Sequence, residues 1–173
     1  MFRIVTVIAI VIFNIVFQST IVQDIAIGGI TINLLIITVV SFSLMRGKLE
    51  GAIIGFFIGL MQDVFFGNVI GFYALLYMYF GFFSGYLNKA LYRDNLLIPI
   101  LAITGSDLIL NLLIYIMTYL FRGRIDFAYY FMNIILPELV YTTLVSVFVY
   151  KFYLFVNEKL DGVEKRRENK DKI

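Results

Sequence analysis

Residues 49–87 read LEGAIIGFFIGLMQDVFFGNVIGFYALLYMYFGFFSGYL. Two apolar runs, about Leu49–Phe66 and Val69–Leu87, each suit a bilayer, which a helix crosses in about 20 mostly apolar residues. Only Gly67-Asn68 separates them, and so short a joint forces an antiparallel hairpin. In the first run Gly51, Gly55 and Gly59 recur at a spacing of four, and Asp63 takes the next step. All four lie along one helical ridge. Lipid tails do not drive helices together, so close packing relies on small residues and polar contacts. The second run answers with Gly81 and Gly85, preceded by Tyr73 and Tyr77, while Gly67 and Gly71 flank the turn. The two ridges can face each other within the hairpin or offer a groove to a partner helix. Asp63 sits where the seam reaches the outer leaflet, as a packing group, a cap or a functional acid.

The same reading extends in both directions. Arg46-Gly47-Lys48 separates the hairpin from an apolar run at about Ile27–Met45, and a further run precedes it at about Ile4–Val22. Beyond it lie about Leu96–Phe121, long enough to tilt, and about Met132–Val156. The expectation is an all-α polytopic membrane protein, a six-transmembrane-helix bundle over residues 1–156 with a charged tail at 157–173. Composition agrees: 61% of the 173 residues are hydrophobic, and only 15% are charged against about 25% in a soluble domain. The mean hydropathy is +0.93. The first run has a basic start at Arg3 but continues past Asn14 and Gln18 with no small-x-small cleavage site, so it reads as a retained helix.

The net charge of +2 resolves into seven basic and five acidic residues from Lys151 onward, and seven of each sign before it. This balance does not suit a nucleic-acid binder. The alternating signs of the tail suit a solvated helix end or a frayed terminus. With the N-terminus cytoplasmic, Arg3, Arg46, Lys48, Lys89, Arg93 and the seven basic residues from Lys151 onward lie inside; only Arg122 and Arg124 lie outside. The positive-inside rule therefore places both termini in the cytoplasm. The largest outer segment, about Arg122–Phe131, carries Phe127, Tyr129, Tyr130 and Phe131, which suit an interfacial belt.

The intramembrane polar residues are the candidate functional groups. Thr104, Asp107, Asn111, Tyr115 and Thr118 share one face of the fifth helix. Asp107 falls near mid-bilayer, where a charged Asp costs about 2.5–3.5 kcal/mol on insertion scales. Lys151, toward the inner end of the sixth run, is the one Lys or Arg within a span, and none lies at the depth of Asp107 to pair with it. Asp107 is protonated, hydrogen-bonded or facing a hydrated cavity, with Asn111 as its nearest helical neighbour. Pro137-Glu138 suits the first turn of the sixth helix, where proline's missing N–H costs nothing and an acid meets the positive end of the dipole. Tyr141, Thr142 and Ser146 follow. Asp63, Asp107 and Glu138 could line a cavity opening outward, or serve as buried struts. Asn14 and Gln18 share a face that hydrogen-bonds to a neighbouring helix.

Catalytic chemistry is not indicated. With neither Cys nor His, disulfides, Cys/His zinc sites and Ser-His-Asp triads are excluded. An intramembrane aspartyl protease needs a Gly-x-Gly-Asp setting, whereas this chain has Thr104-Gly105-Ser106-Asp107. No phosphate loop or dinucleotide fingerprint is present, and no cofactor is expected.

The stretch Gly55–Ala74, with Gly59-Leu60 running to Asp63 and then Gly67 and Gly71, resembles the signature of the rod shape-determining MreD family. The joint Arg46-Gly47 fits, as does Pro137 with Tyr141. At the start of the second helix the chain has Gly28-Gly29 where family members often carry a proline. The resemblance implies a multi-pass protein of the bacterial cytoplasmic membrane, working in the elongation machinery for side-wall peptidoglycan. It implies association with the bitopic protein MreC and, through the assembly, with RodA, its elongation transpeptidase partner and MreB. It also implies a fold like the membrane substrate-binding components of energy-coupling-factor vitamin transporters. Two functions follow as expectations: a non-catalytic scaffold, or a component binding a vitamin-like or amine-bearing small molecule through its unpaired acids. Direct handling of a lipid-linked cell-wall precursor is a third.

Overall fold

A computed structural model describes residues 2–24, 31–67, 69–90, 96–118 and 127–170. Among them the regular structure is helical, with no strand. The helices are α1 (Phe2–Asp24), α2 (Leu34–Arg46), α3 (Lys48–Phe66), α4 (Phe72–Ser84), α5 (Leu97–Thr118), the short α6 (Phe127–Tyr130) and α7 (Leu136–Lys170). A 3-10 stretch, Gly85–Ala90, extends α4, and a π-helical turn, Phe131–Ile135, joins α6 to α7. Lys48–Phe66, Leu97–Met117 and Phe127–Val163 are long and apolar enough to cross a membrane; Val5–Thr20 and Leu34–Arg46 are shorter apolar helices.

The centre of the bundle is α2. Every residue from Leu34 to Leu44 is buried, because α1, α3, α4, α5 and α7 all pack around it. Its sequence, LLIITVVSFSLMR, is apolar almost all round, as a helix enclosed on every side requires. Thr38 and Ser43 bond inward: Thr38 Oγ1 to Leu34 O at 2.8 Å, and Ser43 Oγ to the carbonyl of Gly81. At Gly47 the backbone takes φ +92°, a left-handed conformation that glycine adopts without strain. Its N–H closes α2 on Ser43 O at 2.8 Å, and α3 starts at the next residue.

The α3–α4 hairpin is the tightest seam. A Cβ added at Gly55 would overlap the Tyr77 carbonyl, one at Gly59 the Tyr73 carbonyl, and one at Gly81 the Gly51 carbonyl. Gly51 also abuts Ser43 of α2, and Gly85 lies against Lys48 and Gly47. The glycine ridge is therefore filled by α4 of the same chain. A groove for a partner helix along Gly51, Gly55 and Gly59 would require this hairpin to open.

Several boundaries differ from the sequence expectation. The second helix was expected from Ile27 but begins at Leu34. Residues 31–33 are non-helical; the Gly28-Gly29 joint lies outside the described residues, as do Arg93, Arg122 and Arg124. Of the expected fifth span, the part beyond Thr118 also lies outside them. Pro137 and Glu138 fall in the first turn of α7, as expected, but that turn continues helical backbone that runs from Phe127. Pro137 cannot donate to the carbonyl of Asn133, and the π turn ending at Ile135 absorbs the missing bond. Glu138, in the first turn of α7, accordingly has the π turn and not a free helix end in front of it. The expected division at 156/157 falls within α7, which stays helical to Lys170. Tyr153, Asn157 and Leu160 are buried, and Asp161 pairs with Arg46 at 3.7 Å.

Candidate functional site: an intramembrane polar layer

Asp63 is almost wholly buried, and its carboxyl group is spent on the start of α4. Oδ2 accepts from the backbone N–H of Gly71 at 2.9 Å and of Ala74 at 3.0 Å; Oδ1 accepts from Tyr73 at 2.9 Å. The first N–H groups of a helix have no partner within it, and here an acid from the preceding helix supplies one. Gly71 has φ +103°, which turns the chain so that these amides converge on Asp63. Gly67 leaves room beside the Asp63 backbone, where a Cβ would clash.

A second cluster gathers at the N-terminus of α2, with Asn33 at its hub. Its Oδ1 accepts from the Ile36 N–H at 3.2 Å, an N-cap bond, and from the Tyr77 hydroxyl at 3.3 Å. Its Nδ2 donates to Asp107 Oδ1 at 3.2 Å, and its backbone N–H donates to Thr142 Oγ1 at 3.2 Å. Gln18 of α1 completes the cap, accepting from Leu34 N at 3.0 Å and donating to Ile32 O at 2.8 Å. Asn111 donates to the backbone carbonyl of Asp107 at 3.1 Å and faces the Glu138 carboxyl, which lies within electrostatic reach of Asp107. Asp107 is fully buried beside Asn33 and Thr142, and its Oδ2 has no hydrogen-bond partner within bonding distance among the described residues.

The candidate acids thus fall into two groups. Asp107, Asn111 and Glu138 come together with Thr142, whereas Asp63 is engaged separately at the α3–α4 turn. The two groups are linked through α4, where Tyr73, bonded to Asp63 by its N–H, stacks on Tyr77 with ring centroids 6.2 Å apart. Tyr141 is half-buried and makes none of the bonds in either group. Asn14 and Gln18 do bond to neighbouring elements, Asn14 to the Tyr153 hydroxyl at 2.6 Å. Sequence reasoning missed Asn33, and it placed Tyr77 on the hairpin ridge without bringing it to this cluster. An Asn directly before an apolar run is an N-cap signal, but Asn33 was hidden inside a span drawn from Ile27. Among the described residues no three His, Cys, Asp or Glu side chains are gathered as for a metal ion.

A long apolar hairpin, a fully enclosed central helix and a polar layer bonded within the protein define a helical integral membrane protein. Backbone polar groups in lipid must be satisfied internally, and helices do so. The family model for rod shape-determining protein MreD matches residues 1–159. The chain belongs to the MreD family and is a rod shape-determining membrane protein. No curated protein and no solved structure matches it.

Proposed function

We propose that the protein is a non-catalytic scaffold of the bacterial elongation machinery, holding the bitopic protein MreC in the cytoplasmic membrane. Through that assembly it supports side-wall peptidoglycan synthesis by RodA and its transpeptidase partner, in register with MreB. The family match over residues 1–159 carries this reading. Supporting it, both Asp63 oxygens are occupied by α4 amides, which leaves the signature acid a builder of the hairpin and not a reagent. The chain crosses the bilayer six times with both termini inside, α2 being a short buried pass. The test is recovery of MreC with the tagged protein in detergent, and rounding of rod cells on depletion. Normal rods and no recovered MreC would refute it.

One observation favours a second reading, a small-molecule-binding membrane component: the unpartnered Oδ2 of buried Asp107, close to Glu138. It predicts saturable binding of an amine-bearing or vitamin-like ligand, lost in Asp107→Asn and Glu138→Gln. Under the scaffold reading the same variants keep MreC recovery and rod shape.

A further inference from the structure

Where α2 ends, at the face that the positive-inside rule puts in the cytoplasm, a guanidinium is enclosed without the acceptors it needs. The side chain of Arg46 is only 4% exposed. A guanidinium is always charged and carries five N–H donors in a planar fork. Once buried, such a charge has to be paired and hydrogen-bonded. Among the described residues Arg46 has one ion pair, with Nη1 3.7 Å from Asp161 Oδ1, beyond hydrogen-bond length. Its Nε and Nη2 are buried and have no partner. Those two N–H groups point the same way along one edge of the fork, where a carboxylate or phosphate is held by two parallel bonds. Asp161 meets the nitrogen off that edge. Asn157, one turn earlier on α7, is also incompletely bonded. Its Nδ2 reaches Asp161 Oδ2 at 3.4 Å, near the limit of a hydrogen bond, and its buried Oδ1 has no donor. Both side chains thus converge on a carboxylate held by two long contacts. The Asp161 side chain is 38% exposed, so it can swing outward while Asn157 and Leu160 keep α7 packed. The exposed charges on adjoining turns, Lys48 and Glu50 on α3 with Glu158 and Lys159 on α7, cancel. General attraction for anions is therefore weak here, and the fork itself does the selecting.

We propose that Arg46 and Asn157 form a binding site for a phosphate group, with the Asp161 carboxylate as its resting substitute. On binding, Asp161 turns out to water and the phosphate takes the Arg46 Nε–H and Nη2–H side-on. Asn157 Nδ2, released from Asp161, donates to a further phosphate oxygen. Asn157 Oδ1 needs a donor, and a hydroxyl on or beside the phosphate provides it. Two sources have that chemistry: the headgroup of a glycerol-bearing anionic lipid, and hydrogen phosphate in solution. Depth favours the lipid. Arg46, Lys48 and Glu50 mark where α2 and α3 leave the hydrocarbon, level with lipid phosphates, and basic pockets between helices at the cytoplasmic side of a membrane hold anionic headgroups. An enclosed water would accept from the edge but bring no charge to it. The site uses no residue of the polar layer and no partner chain, so it stands or falls apart from the scaffold reading.

The experiment titrates the purified full-length protein in non-ionic detergent with short-chain phosphatidylglycerol, with phosphatidylcholine and with inorganic phosphate. Native mass spectrometry reads the retained ligand, and melting confirms that each variant is folded. Wild type should retain one phosphatidylglycerol saturably and no phosphatidylcholine. Arg46→Lys keeps the charge and loses the two-bond edge, and should bind about fivefold more weakly. Asp161→Asn removes the competing carboxylate and should bind about threefold more tightly, the weight of one partly exposed ion pair, although without ligand it melts lower. A purely structural cluster would lose ligand retention in neither variant or in both. Retention of phosphatidylglycerol that inorganic phosphate does not displace assigns the site to a lipid; saturation by inorganic phosphate alone, with the same response to both variants, assigns it to the free ion. Equal retention of phosphatidylcholine, folded Arg46→Lys that binds like wild type, or Asp161→Asn that binds no more tightly overturns the proposal. So does wild type that retains neither phosphate, since the edge then holds an enclosed water only.

Discussion

Replacing Asp63 by alanine tests the hairpin at its most specific point. The substitution removes both oxygens that accept from Gly71, Tyr73 and Ala74 at 2.9–3.0 Å. The site is closed to water, with Asp63 itself 1% exposed. Each buried amide left unpaired costs about 1–3 kcal/mol. Three of them, with some relaxation of the turn, give a loss of about 3–6 kcal/mol. Asparagine keeps one acceptor oxygen, which can hold one or two of the three amides, so Asp63→Asn should lose about half as much. The assay is equilibrium unfolding of the purified protein in mixed micelles, with hydrogen exchange at residues 71–74 as a local probe. Exchange there should accelerate in Asp63→Ala before global unfolding does. If alanine costs less than about 0.5 kcal/mol, within the range of an uninvolved surface substitution, or if Asn and Ala are equivalent, the capping account is wrong.

Gly55→Ala should destabilise by about 1–3 kcal/mol, the usual cost of overpacking, because the methyl group meets the Tyr77 carbonyl; Gly55→Leu should yield aggregated protein on size exclusion. Asn33→Ala removes the α2 cap and the bond to Asp107 and should lower the melting temperature, while Asn33→Asp should do more harm by setting a second acid against the first. Tyr153→Phe deprives Asn14 and Thr38 of a shared hydroxyl and should cost about 1–2 kcal/mol in mixed-micelle unfolding. Equal stability of Asn33→Asp and Asn33→Ala, or of Tyr153→Phe and wild type, would contradict the bonding described.

Helical class and the hairpin were legible because they depend on local signals. Apolar length sets where a helix can cross, and the four-residue step from Gly51 to Asp63 fixes a ridge whatever lies opposite. What lies opposite is a tertiary fact. Asp63 reads equally as a membrane acid or a cap until the turn at Gly71 brings three amides to it. The start of α2 was misplaced for a related reason: hydropathy does not distinguish Ile27–Ile32 from Leu34–Met45, and only the cap at Asn33 marks the boundary. Pro137 does mark the first turn of α7, but the π turn that joins α7 to the helical backbone before it leaves no signal in the sequence. The gathering of Asp107 with Glu138 was suggested by their shared depth, but Asn33 and Tyr77, from two other helices, could not be added without the packing.

The polar layer has a mechanical origin that separates its structural members from the rest. At 13 residues, α2 is about 20 Å long, shorter than the roughly 30 Å hydrocarbon core. Its N-terminus therefore ends inside the protein, where its free N–H groups must find acceptors without water. Gln18 serves Leu34, Asn33 serves Ile36, and Thr142 serves Asn33. These residues are accounted for by the shortness of one helix. Asp107 Oδ2 and the Glu138 carboxyl are not, since no helix end needs them. Any ligand chemistry in this layer belongs to those two acids, so a functional effect of Asp107→Asn or Glu138→Gln in a protein of unchanged stability would separate binding from architecture, whereas Gln18 or Thr142 variants should alter both together.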